Sequence, residues 1–480
     1  MQFNRKAFLA VTGAAALTPR AALAQTEPDA TLTIGKTTVE VAPNVEYTTV
    51  AYNGTVPGPV LRMREGQPFT VVVRNLSSSE EYVHWHGFEV PDTVDGTGLA
   101  TPPVAAGGSQ RYRFAPRPAG TRWYHTHNLP GPKAEGGLFT GQFGFAIIEP
   151  AHDPGRYDRE VLLALHEWGP SLVVRSGHPA QGAPSVAQPA GDMGIDMGGM
   201  PGMPGMGGMH DAMRSMLEAE YATFSINGRA LGFGDPVRVR QGERVLFRVL
   251  NASATLTHRL ALSGHRFEVV ALDGNPVPQP QTLDAIELGA AERVDAIVTM
   301  DAPGVWVLGS TQDAYRERGM GVVVEYAGSA GPAHWKAPGD APFVYGAFGT
   351  AAATVAPDAT IELAITQGKG DNEWLINGRP FSMKPTISLR KGLRYRMRFV
   401  NDSMMEHPMH MHGHSFELTE VDGKPTAGIV KDTVVVRPMK GAVAVDFVAD
   451  NPGLFMVHCH NELHMQGGLM AVVAYDGMPS

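Results

Sequence analysis

Residues 458–464 read HCHNELH and contain the single cysteine of a 480-residue chain. Cys459 stands between His458 and His460, with His464 four residues beyond the second of them. Three further histidine groups accompany it: His84 and His86 in HWH, His125 and His127 in HTH, and His407, His410 and His412 in HPMHMH. The four groups hold ten of the 18 histidines, too concentrated for scattered surface residues. One cysteine excludes a disulfide within the chain, so its thiol is left as a nucleophile or a metal ligand. A nucleophile with a histidine base would use only two of these side chains. A structural zinc site would use four and leave most of the set unexplained.

On a strand, residues i and i+2 share a face and residue i+1 takes the other. His84 and His86 therefore project together, as do His125 and His127, and His458 and His460. Cys459 projects away from its two neighbours. That pattern suggests two sites back to back. A soft thiolate with two imidazoles is the ligand set of a blue-copper electron-transfer centre, and His464 and His407 would complete it around Cys459. Zinc shares these ligand types, but ligand softness and the number of histidines favour copper.

The elements that must hold these groups are strands. YNGTVPGPVLRMREGQPFTVVVRN (52–75) is echoed by SINGRALGFGDPVRVRQGERVLFRVLN (225–251) and by LINGRPFSMKPTISLRKGLRYRMRFVN (375–401). Each copy has an Asn-Gly, a proline, an x-Gly turn and an alternating apolar strand that ends at asparagine, which signals β-hairpins. The copies close alike in AGTRWYHTHN (119–128), PGVWVLGSTQ (303–312) and PGLFMVHCHN (452–461). A repeat of this length is a whole domain. The expectation is an all-β protein of three Greek-key β-sandwich domains at 31–150, 158–327 and 343–480, with few helices. Segments 178–210 and 327–345, rich in Gly, Pro and Ala, read as a loop and a linker.

The middle copy is an internal control. Aligning HRLALSGHRFEVVALDG (258–274) with HPMHMHGHSFELTEVDG (407–423) sets His258 against His407 and His265 against His414. Ala261 and Ser263 then stand where His410 and His412 do. Histidines needed for folding should persist in all three copies, so the clusters serve something else. By the same logic His265 and His414 are structural. His152, His166, His178 and His334 have no metal-like spacing.

With HxHG at 84–87, HxH at 125–127, HxxHxH at 407–412 and HCHxxxH at 458–464, in this order, the chain resembles the three-domain multicopper oxidases, the family of laccases and bacterial copper-efflux oxidases. The resemblance covers nearly all of the mature chain. It implies cupredoxin-like domains and four copper ions. His407, Cys459 and His464 would bind the type 1 copper, His84 and His410 the type 2 copper, and His86, His125, His127, His412, His458 and His460 the type 3 pair. Family members take electrons singly from a donor and reduce dioxygen to water.

The resemblance also sets expectations for tuning and proton supply. The axial position, five residues after His464, holds Leu469, where copper-efflux oxidases have methionine. Leucine cannot ligate, so the potential should be high. Met470 is adjacent but expected on the other face. Asp95 in VPDTVDG matches the family's acidic residue near the type 2 copper and is the expected proton shuttle; as Asp-Gly it also reads as a turn. Met465 stands where many bacterial members have a second acid, with Glu462 close by.

Residues 193–216, MGIDMGGMPGMPGMGGMHDAMRSM, hold eight of the 23 methionines. Gly and Pro exclude a stable helix there, and thioethers are soft ligands that prefer Cu(I). The segment is therefore read as a cuprous-ion loop rather than an inert low-complexity one. Met404, Met405 and Met409 flank His407, with Asp402 and Glu406 nearby, as a cuprous docking site or as core and rim. The expected donors are Cu(I) or a small aromatic compound, with dioxygen as acceptor and a role in copper tolerance.

The net charge of −9 without a basic cluster excludes nucleic-acid binding. MQFNRKAFLAVTGAAALTPRAALA has a charged n-region, a short apolar stretch and small residues before Gln25, as an export signal does. NRKAFL resembles a twin-arginine signal with Lys6 in place of the second arginine. The mature protein is expected to be a periplasmic monomer with no membrane insertion.

Overall fold

A computed structural model describes residues 27–150, 157–176, 215–351 and 355–477. The expected export signal, His152 and His178 lie outside the described residues, as does the methionine-rich segment up to Met213. Strands dominate. The α-helices among the described residues are three single turns, Asp92–Asp95, Asp313–Glu317 and Glu462–Gln466.

The strands form six sheets, two for each copy of the sequence repeat. In the third copy one sheet runs in the order Ile387–Leu389, Met470–Tyr475, Leu454–Cys459, His407–Met411, Thr433–Val436. Its outermost pairing at Ile387–Leu389 is parallel and the others are antiparallel, so strands far apart in sequence become neighbours. The second copy repeats this order with Val237–Val239, Gly321–Tyr326, Val305–Ser310, His258–Leu262 and Ile286–Leu288. The first is built on Leu61–Arg64, Phe143–Glu149, Gly120–Thr126 and Val83–His86.

Two repeated signals have the same physical cause in each copy. Asn53-Gly54, Asn227-Gly228 and Asn377-Gly378 all take positive φ at both positions, as a two-residue hairpin turn requires. The asparagine that ends each repeat, Asn75, Asn251 or Asn401, is fully buried. Its amide donates to two carbonyls, Ser79 and Val104, Leu256 and Leu288, or Met405 and Val436. Its Oδ1 accepts from the N–H two residues on. One side chain thus satisfies three backbone groups that no ladder reaches.

His265 and His414 also share one pattern. Each Nδ1 donates to a carbonyl two residues earlier, and each Nε2 accepts from a tyrosine hydroxyl, Tyr326 or Tyr475. His166 packs between Phe143 and Trp168, and His334 against Trp306.

The copies meet closely. Gly120 and Gly274 both have positive φ, and a Cβ on Gly120 would lie 1.8 Å from the Gly274 carbonyl. Beside this contact a buried ionic cluster joins all three copies, with Arg122 from the first, Asp273, Glu292 and Arg293 from the second, and Lys431 and Asp432 from the third. Three cations face three carboxylates. Such a cluster is weak evidence for stability, but removing one member costs about 3–5 kcal/mol.

Candidate metal centres

Strand parity sorts the third copy's ligands into two groups. His410 lies opposite His458, and Met409 opposite Cys459. His407 shares the face of Met409 and Cys459, and the next face carries His410 and His458. In the first copy His84 lies opposite His125 and His86 opposite Trp123, on the face turned toward His410 and His412. His127, His412 and His460 sit just beyond the ends of their strands.

The first centre is a triangle. His407 Nδ1 and His464 Nδ1 are 3.0 Å apart, and Cys459 Sγ is 3.7 and 3.6 Å from them. The point equidistant from the three atoms is about 2 Å from each, close to a metal–imidazole bond length. His407 is fixed by its other nitrogen, 2.8 Å from Ser403 Oγ, which leaves Nδ1 unprotonated. His464 rides on the helix Glu462–Gln466, whose N-cap Asn461 accepts from the N–H groups of Leu463 and His464. The Asn461 N–H also reaches Cys459 Sγ at 3.4 Å. Trp374 closes the centre, with ring centroids 4.7 Å from His407 and 4.4 Å from His464. Leu469 is buried in the core that contains Cys459. Met470 lies opposite His458 and packs with Met456 and Met465, away from the thiol.

The second centre gathers His84, His86, His125, His127, His410, His412, His458 and His460. His412 Nε2 is 2.9 Å from His458 Nε2, and His86 Nδ1 is 3.4 Å from His125 Nε2. His86 and His410 stack at 3.7 Å, and His460 lies 5.0 and 5.1 Å from His86 and His125. Six of the eight rings bind a fixed acceptor through one nitrogen. His84 uses the Asp95 carbonyl, His125 that of Thr126, His410 that of Asp432 and His458 that of Cys459. His412 uses the Asp95 carboxylate at 2.9 Å, and His86 the Asp432 carboxylate at 3.1 Å.

These residues fit metal ions. His84 Nε2, His127 Nε2, His410 Nε2 and both nitrogens of His460 are buried with no hydrogen-bond partner. Orphans are rare in a folded interior, and so many in one cavity call for a ligand. Burial holds every imidazole below its ordinary pKa, to about 3 in His125 and His464 and about 4 in His458, so their nitrogens are neutral donors. Burial pushes the Cys459 thiol up, so a cation is what would hold it as a thiolate.

The centres touch through one dipeptide. His458 belongs to the second, Cys459 to the first, and the His458 ring donates to the Cys459 carbonyl at 2.9 Å.

Two carboxyls border the second centre. Asp95, on the helix Asp92–Asp95, is fully buried, and its Oδ1 makes no hydrogen bond but lies 3.5 Å from His84 Nδ1. Burial and then Asp92 hold it well above the carboxylate range. Glu462 lines a small cavity with His125, His127, His458, His460 and Met465. Burial raises it to about 8, and its Oε1 accepts from Leu138 N–H. Gly137 makes room, since a Cβ there would lie 2.7 Å from Glu462 Oε2. Near the first centre Met405 and Met409 are core, and Asp402 pairs with Lys440.

The middle copy has Ser310 at the strand end where the third has Cys459, and Tyr315 on the helix that matches that of His464. His258, opposite His407 in the alignment, bonds buried Glu167 instead of a second imidazole. The sequence reading missed Asp432, Arg293 and Trp374, which lie far from the motifs in the chain.

Three family models described as multicopper oxidase match residues 33–153, 208–324 and 354–478. The chain is 32% identical over 440 residues to multicopper oxidase MmcO of Mycobacterium tuberculosis (strain ATCC 25618 / H37Rv), covering 89% of this chain and 83% of the relative. A copper resistance protein A homolog of Pseudomonas syringae pv. tomato (strain ATCC BAA-871 / DC3000) is 27% identical, with 93% and 92% covered. The crystal structure of a multi-copper oxidase from Pseudomonas thermotolerans shares the fold with TM-score 0.69 at 24% identity, covering 94% and 100%. The chain belongs to the multicopper oxidases, enzymes that use oxygen and typically bind four coppers, and its domains are cupredoxin-like.

Proposed function

We propose that this oxidase takes electrons from Cu(I) and serves copper tolerance after export to the periplasm as a monomer. His407, Cys459 and His464 would hold the type 1 copper. His84 and His410 would hold the type 2 copper, and His86, His125, His127, His412, His458 and His460 the type 3 pair. When bound, the coppers supply one-electron acceptance at the first centre and dioxygen reduction to water at the second. The chain's own residues do the rest. Ser403 orients His407, Asn461 donates toward the sulfur, and the Cys459–His458 dipeptide joins the centres. Asp95, bonded to His412 and buried beside His84, is the residue proposed to hold and release protons there, with Glu462 as the second acid.

The observation that carries the cuprous reading is where the methionine-rich segment is rooted. It lies between the strands Arg159–Ser176 and Ser215–Ile226, a hairpin that pairs from Ile226 out to Ser215. Leu217 N–H donates to Asp371 O at 3.1 Å. The next residue, Asn372, donates to Leu463 O and accepts from Trp374 Nε1. Trp374 covers both type 1 imidazoles. The strands that bracket the methionines are thus tied to the wall of the first centre, which supports delivery of Cu(I) there.

A second reading, oxidation of phenolic donors, is favoured by Leu469, since loss of an axial sulfur raises the potential. Steady-state oxygen consumption with Cu(I) and with a dimethoxyphenol, on copper-loaded protein with and without residues 193–213, separates the two. Loss of Cu(I) turnover with phenol turnover kept or raised supports the cuprous oxidase. Unchanged Cu(I) turnover would overturn the reading of the segment as a cuprous-ion loop and move the phenol oxidase ahead.

A further inference from the structure

Asp432 holds two histidines of the second centre through two different atoms. Its carbonyl accepts from His410 Nδ1 at 2.7 Å, and its Oδ1 from His86 Nε2 at 3.1 Å. Each bond uses the ring's one proton and leaves His410 Nε2 and His86 Nδ1 as bare donors facing the cavity. Thr433 Oγ1 is 3.1 Å from His86 Nε2, 3.3 Å from His410 Nδ1 and 3.0 Å from Asp432 Oδ1.

Asp432 is itself gripped from the copy that has no ligands. Arg293 donates from Nη1 to Oδ1 at 2.8 Å and from Nη2 to Oδ2 at 2.5 Å, a two-pronged pair. With both oxygens taken, Asp432 orients the rings rather than joining them as a ligand. Arg293 is locked in turn: Nε donates to Thr121 O at 3.2 Å, Nη1 to Ala291 O at 3.0 Å and Nη2 to Asp273 O at 3.2 Å. Asp273 Oδ2 accepts from the backbone N–H of Asp432 and of Thr433, so side chain and main chain of the same dipeptide are fixed together. Arg293, Asp273 and Asp432 are all fully buried.

The glycine of HWHG belongs to the same device. Gly87 has φ +79°, and a Cβ there would lie 2.5 Å from Asp432 Oδ2 and 2.8 Å from Arg293 Nη2. Any side chain would push the ion pair apart.

We propose that Arg293 is a positioning residue for the trinuclear centre. Through Asp432, the ligand-free middle domain sets the ring orientation and proton position of one type 2 and one type 3 histidine. The inference rests on the ligand assignment proposed above. An arginine is required because lysine, a single point charge, cannot span both carboxylate oxygens.

The test is Arg293→Lys in the full-length, copper-loaded protein, beside the wild type. Copper per chain, the type 2 electron paramagnetic resonance signal and the anaerobic rate of type 1 reduction are measured together. The expected result is a roughly tenfold or greater loss of type 2 copper affinity, the scale of a lost outer-shell partner. The type 2 signal should shrink or shift while type 1 absorption and its reduction rate stay at wild-type values. Four coppers with an unaltered type 2 signal, whatever the melting temperature, would overturn the proposal. Should Arg293→Lys not accumulate, the double variant Arg293→Met/Asp432→Asn removes both charges of the pair. An unchanged type 2 signal there overturns the proposal equally, and its loss supports it. A wild type that itself holds fewer than four coppers, or gives no type 2 signal, overturns the ligand assignment and the role of Arg293 with it.

Discussion

His458 and Cys459 are consecutive in the chain yet serve different centres. His458 Nε2 lies 2.9 Å from His412 Nε2, while Cys459 Sγ lies 3.7 Å from His407 Nδ1. Removing the thiol should therefore empty one centre and spare the other. For Cys459→Ser we expect loss of blue absorption, three coppers per chain by elemental analysis, and donor-driven oxygen uptake at least about 100-fold lower. A variant that lost all four coppers would contradict the separation.

Leu469→Met offers the type 1 site a thioether at its axial position. The cupric form gains a donor, so the potential should fall, by about 59 mV for each tenfold change in relative affinity. Redox titration of the blue band is the measurement, and an unchanged or raised potential would show that residue 469 does not face the copper.

Asp95→Asn keeps an oxygen that can accept from His412 Nδ1 but cannot carry a proton. Copper content and type 1 reduction should remain, with turnover down about 100-fold or more. Glu462→Gln should act in the same direction. If Asp95→Asn turns over normally with full copper, the carboxylate only orients His412.

Lys431→Met tests the ionic cluster through pH. Burial works to raise Asp273, but Lys431 and Arg293 hold it below its ordinary range. Burial works to lower Lys431, but Asp273 and Glu292 hold it above. The stability tied to Asp273 is thus present above its unfolded value near about 3.9 and lost as pH falls through the lower folded one. That tied to Lys431 is present below about 10.4 and lost as pH rises through the higher folded one. Without the lysine, the two buried carboxylates lose a cation, and the variant should be about 3–5 kcal/mol less stable at pH 7. Protonation relieves them, so the deficit should narrow as pH falls toward about 4. Thermal melts across pH read both the size and the sign.

Much of the site was legible because metal ligation restricts residue type and strand parity restricts spacing. The HxH pairs, the lone cysteine and the blank middle copy sufficed to list the eleven side chains that the structure brings into two clusters. The hairpin turns and the asparagine at each repeat's end were legible for a similar reason, since a local backbone need recurs at one sequence offset. Arg293 and Asp432 are 139 residues apart and come from different copies, so no window of sequence links them. Trp374 is one of six tryptophans, and nothing in the sequence marks it out until packing sets it against His464. Gly87 was seen as part of a motif, but its reason, the ion pair behind it, needed three dimensions.

The histidines of the second centre are divided between residues before 130 and residues after 405. A ribosome that stops anywhere between them releases a polypeptide with half of each binding cage. Such a fragment cannot close the cavity proposed for dioxygen reduction. Interrupted synthesis therefore yields inert product, and the ability to handle oxygen arises only with the last strands of a finished chain.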